Sequence, residues 1–138
     1  MKSTGDLIDV LKSKESYTEA RDLMPAFLDF TLAEHLAQII AEKQLKKSEI
    51  IDKSGIERTY AYQIMNGTKM PSRDKLLALL FGMQLSFEEA QTLLKVSGYA
   101  QLYAKNKRDN VIIFSLDKHH SILDVNETLF SMNEAIIE

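Results

Sequence analysis

Glycine and proline punctuate this chain too sparingly for a sheet to turn on them. Two prolines and five glycines occur in 138 residues, each where a helix could begin or end, and no Val/Ile/Thr-rich alternating run of strand length lies between them. The fold class that follows is all-α. With 45% hydrophobic and 27% charged residues, the length suits one domain with a real core and is tight for two. There is no cysteine, which excludes disulfides and thiolate metal sites. The opening "MKSTGDLIDVLKSKES" lacks the apolar run of a signal peptide or a membrane span, so a cytoplasmic protein without a membrane partner is expected.

Apolar spacing and capping residues then divide the chain. Short, weakly patterned helices are expected over 5–13 and 17–23, with Pro25 suited to a first helical turn. Thr31 followed by Glu34 is a capping-box signature, and Leu32, Leu36, Ile39 and Ile40 recur at helical spacing to about Lys43. "KKSEIIDKSGI" reads as a two-turn helix stopped by Gly55, and the next helix ends at Asn66-Gly67. Ser72 opens a helix through Leu80, and Ser86 with Glu89 opens another that Gly98 stops. These make five helices between Thr31 and Gly98. Three segments result: an N-terminal helical extension (1–30), a five-helix core (31–98) and a C-terminal helical hairpin (99–138), the hairpin expected to pack with the core as one unit.

The stretch "GIERTYAYQIMNGTKMPS" raises a functional question. If Ile56, Ala61, Ile64 and Met65 face inward, Arg58, Thr59, Tyr62 and Gln63 share the opposite face of one short helix. Three short amphipathic helices with tight turns, the second and third joined across "SGIE", have the form of a helix-turn-helix, in which the second helix of the pair is presented to the DNA major groove. Gly55 can take the positive φ of the turn, Ile56 plugs the angle, and small Ala61 permits close packing. Charge agrees: residues 45–75 carry seven cations against four carboxylates, net +3, within a chain of net charge −3. Positive potential is thus gathered on one part of an acidic body. The plainer alternative is that these lysines only solvate a helix surface.

The segment "LKKSEIIDKSGIERTYAYQIMNGTKMPSRDKLLALLFGMQLSFEE" resembles the lambda-repressor-like, or XRE-type, helix-turn-helix family, with Leu45, Ile50, Gly55, Ile56, Ala61, Ile64, Gly67, Pro71 and Leu76 at its core and turn positions. The resemblance covers about residues 32–98 and implies a sequence-specific, double-stranded-DNA-binding transcriptional regulator of bacterial or phage type. It also implies roles: Arg58, Thr59, Tyr62 and Gln63 as the base-facing set, and Lys46, Lys47, Asn66, Thr68, Lys69 and Arg73 as backbone contacts. Two positions depart from the family pattern. Lys46 and Glu57 stand where Ser, Thr or Asp usually cap the second and third helices; both are poorer caps, and Glu57 would repel phosphate.

In the C-terminal third, Val111–Leu116 and the helix opened by Ser121 and Asp124 form a greasy hairpin, a layout similar to that of extended bacterial regulators. It either packs on the core or exposes an apolar stripe for a second copy, and Ile136 and Ile137 are expected to be wet in a lone copy. His119-His120 lacks a third ligand, so a polar helix terminus is expected rather than a metal site, and no cofactor is implied. The six methionines read as core filler. Without a nucleophile turn or a Gly-rich phosphate loop, no enzyme is expected. The alternative function is a protein-interaction module of helix-turn-helix shape, antitoxin-like or a kinase-associated adaptor, with weak or no DNA binding.

Overall fold

The computed structural model describes Asp9, Lys12 and residues 31–138. Seven helices and no strands occur among the described residues: α1 (Leu32–Lys43), α2 (Lys47–Ser54), α3 (Arg58–Met65), α4 (Arg73–Gly82), α5 (Phe87–Val96), α6 (Lys107–Asp117) and α7 (Ile122–Ser131). The all-α class is therefore correct. Of the N-terminal helices expected over 5–13 and 17–23, Asp9 and Lys12 are helical, and the rest lie outside the described residues.

Short polar side chains start most of these helices by accepting from free first-turn amides. Ser72 accepts from the Lys75 N–H at 3.2 Å, and Asn106 from the Asp109 N–H at 2.9 Å. Ser86 with Glu89, and Ser121 with Asp124, form complete capping boxes. Helix ends are less conventional. Gly55 closes α2 at φ +72°, yet α1, α4, α6 and α7 are followed by Gln44, Gln84, His119 and Asn133 in the left-handed region. The α4 helix runs two residues beyond the expected Leu80: Phe81 and Gly82 are both buried in it, and the left-handed turn falls at Gln84 rather than at the glycine.

The core is organised on α4. Every residue from Leu76 to Gly82 is buried, as a central helix surrounded by others requires. Helix α2 packs on it from one direction and α7 also contacts it, α6 packs with α7 and α5, and α3 lies against α1. A Cβ at Gly82 would run into the Ile50 carbonyl oxygen and stand 3.0 Å from Ser54, so this glycine sets how closely α2 and α4 approach. Residues 32–138 form one compact unit, with Ile112, Leu116, Val125, Leu129 and Ile137 in the same apolar cluster as the α1–α5 core. Ile137 is buried, not wet: Asn126 accepts from its N–H at 2.7 Å and donates to its carbonyl at 3.1 Å. Two methionines are not filler, for Met70 and Met132 are exposed.

A pair of crossed ion pairs joins the hairpin to α4. Arg73 meets Asp109 through both guanidinium nitrogens at 3.2 and 3.1 Å, and Arg108 meets Asp74 likewise at 3.0 and 2.8 Å. Adjacent residues at the start of α4 thus pair with adjacent residues at the start of α6. The connection between α5 and α6 is held along its length: Gln91 brackets both backbone groups of Leu102, and Asp109 accepts from the Tyr103 N–H at 3.0 Å.

Candidate nucleic-acid interface

Eight residues of α2, three of turn and eight of α3 build the central feature. Gly55 takes the left-handed turn, and Ser54 reinforces it by donating to the Ile51 carbonyl at 2.8 Å and accepting from the Ile56 N–H at 3.1 Å. Ile56, Ala61, Ile64 and Met65 are buried, which turns the other side of α3 outward. On that side Arg58, Thr59 and Tyr62 are exposed and Gln63 is half-buried. Tyr60 belongs to the interior side, half-buried against the core.

Glu57 caps α3 better than its residue type suggests. Its carboxylate accepts from the Thr59 N–H at 3.0 Å and the Tyr60 N–H at 2.8 Å. These bonds, Tyr60's first and then Thr59's, hold its pKa below the ordinary glutamate value. The negative charge at the edge of the α3 face is therefore drawn onto helix amides. Lys46, by contrast, makes no side-chain cap, so the first-turn amides of α2 are left to another acceptor, beside Lys47 and with Glu49 nearby in sequence.

After α3 the chain turns through Asn66, whose Oδ1 accepts from the Thr68 N–H at 2.9 Å, and the Lys69 N–H returns to the Gln63 carbonyl at 3.1 Å. Asn66, Thr68 and Lys69 are exposed there. Lys46, Lys47, Arg58 and Lys69 enter no ion pair among the described residues. Arg73, expected among the backbone contacts, is corrected: its Nε donates to the Ala100 carbonyl at 2.9 Å and one Nη to that of Gln101 at 3.1 Å, besides the Asp109 pair. Four of its donor interactions face the protein, which makes it a joint residue.

The joint was missed in the sequence although a trace of it is visible there. The dipeptide Arg-Asp occurs at 21–22, 73–74 and 108–109, and the second and third copies stand at helix starts. Spacing alone does not say which of the copies pair. His119 and His120 sit in the turn between α6 and α7, with the His120 ring edge-on to Phe114 at 5.9 Å, and no group of three ligating side chains suited to a metal occurs among the described residues. Compared with family models, curated proteins and solved structures, the chain gives no match.

Proposed function

We propose that this chain binds duplex DNA, with α3 entering the major groove and the start of α2 and the 66–69 turn resting on flanking phosphates. One observation carries the reading: on the exposed side of α3, Arg58 and Tyr62 have no described side-chain partner, and Lys46 and Lys47 at the start of α2 and Lys69 after α3 enter no ion pair among the described residues. The uncapped α2 amides suit a phosphate oxygen, and an arginine at the start of an exposed helix suits the two acceptors of guanine. The class is thus a helix-turn-helix DNA-binding domain. Within it, the reading is a cytoplasmic transcriptional regulator of the lambda-repressor-like, XRE type, acting at a promoter by occlusion or recruitment.

The test is selection of bound fragments from a random duplex pool, followed by two variants. Arg58→Ala is expected to cost about 1–3 kcal/mol on the selected site and to relax preference at one base pair, whereas Lys69→Ala weakens all sequences alike and lowers the salt slope by about one. Equal, sequence-independent losses would remove Arg58 from base reading, and a wild-type protein with no salt-dependent affinity for duplex DNA would end the proposal.

A second reading has its own support. Leu123 and Phe130 are 73% and 78% exposed, two turns apart on one face of α7. That stripe suits a second copy of the chain, which would bring two α3 helices to half-sites about 34 Å apart, or a protein partner of an adaptor or antitoxin-like molecule. Sedimentation of the wild type and of a Leu123→Glu/Phe130→Glu variant, with and without DNA, separates these. A wild type that stays monomeric at high concentration in both conditions excludes the second copy.

A further inference from the structure

The segment between α5 and α6 lies against the end of the proposed phosphate-contacting turn. The Tyr99 hydroxyl donates to the Pro71 carbonyl at 2.7 Å, and Arg73 reaches the carbonyls of Ala100 and Gln101. From there the chain lines an open groove of about 750 Å³ that the Arg73–Asp109 pair also borders. The charges in and beside this groove are of two kinds. Arg73 and Arg108 are neutralised by Asp109 and Asp74, while Lys105 and Lys107 are exposed and pair with no described residue. Glu134, also on the groove wall, has no described cation partner.

We propose that Lys105 and Lys107 form a second phosphate ledge, which takes the duplex backbone beyond the stretch gripped by the 66–69 turn. This rests on the DNA-binding reading above. Charge and proximity select a nucleic-acid backbone: Lys105 and Lys107 are exposed, and the segment that leads to them starts where Tyr99 bonds the carbonyl of Pro71, two residues past Lys69. Reach agrees. Lys105 is five positions past Ala100, which Arg73 anchors at the start of α4, so it lies at most about 18 Å from that anchor. Within that distance each strand presents a phosphate about every 3.4 Å of axis. Because the segment is already fixed by Gln91, Asp109 and Arg73, little backbone ordering remains to be done on binding.

The experiment is a salt series of anisotropy titrations with the full chain on a 40-base-pair mixed-sequence duplex. Lys105→Gln/Lys107→Gln is expected to lower the slope of log K against log salt by about two, near 0.9 for each phosphate no longer neutralised. Lys105→Arg/Lys107→Arg retains the slope. Glu134→Gln tightens binding at low salt, and Lys118→Gln, one residue past the far end of α6, changes nothing. All of these positions except the half-buried Glu134 are exposed, and melting curves check that each variant is folded. If the double glutamine variant keeps the wild-type slope while Lys69→Gln lowers it, the ledge is wrong and the α3 reading stands. If the wild type shows no salt-dependent binding, both fall together.

Discussion

At the scale of single residues, Glu57 shows how a sequence rule and a structure can part. Glutamate is a weak cap by residue statistics, yet its two bonds to amides depress its pKa. A carboxylate with a lowered folded value contributes stability that is present above its unfolded value and lost as pH falls through the folded one. The melting temperature of the wild type should therefore fall more steeply below about pH 4 than that of Glu57→Gln, a comparison that thermal melts at stepped pH provide. Glu57→Ser keeps a cap and removes the charge, so it should tighten DNA binding at low salt with little change in melting; unchanged affinity would place Glu57 outside the phosphate field. Two glycines act for different reasons. Gly55→Val should destabilise through its positive φ, although a Cβ there meets nothing within 4 Å. Gly82→Ala should destabilise through contact with Ile50, an overpacking cost of about 1–3 kcal/mol measurable by denaturant titration. Only the first of these was legible in the sequence, because a turn position announces itself locally and a close helix approach does not.

At the scale of elements, the α2–turn–α3 unit was legible almost to the residue. Its inward positions follow helical spacing, and Gly55 and Asn66-Gly67 mark its ends. Its packing partner was not, since spacing says which face is apolar and leaves open what covers it. Ala61 is fully buried and α3 lies against α1, so Ala61→Phe should push the two apart at about 1–3 kcal/mol and weaken DNA binding with it. The crossed pairs are a different kind of contact. Asp109 is largely buried and accepts from Arg73 and Tyr103, so Asp109→Ala should cost about 2–3 kcal/mol by leaving their donors unmatched. A double-mutant cycle with Arg73→Ala should recover part of that loss; strict additivity would show that the pair contributes no coupling.

At the scale of the whole molecule, the hairpin is part of the core. Shortening the chain at Asn106 removes five buried apolar residues and the partners of both Arg73 and Asp74. Such a chain is expected to lose cooperative melting rather than release a folded five-helix domain. A truncated chain that melts cooperatively within a few degrees of the full one would contradict this. The hairpin also brings its exposed face, Leu123 and Phe130, into the same compact unit as α3, so that pairing through α7 would set the spacing of two α3 helices.

What the sequence by itself determined is whatever depends on neighbours a few residues apart. The helical class, the starts at Ser72, Ser86 and Ser121, the turn at Gly55 and the division of α3 into a buried and an exposed side all follow from local sterics and 3.6-residue spacing. Tertiary structure decided what depends on residues far apart in the chain. It turned Arg73 away from solvent toward Asp109, 36 positions on, and left Lys105 and Lys107 as the unpaired cations of that joint. It also folded Ile137 back under Asn126, because an apolar tail beside a core with room for it is more stable buried than wet.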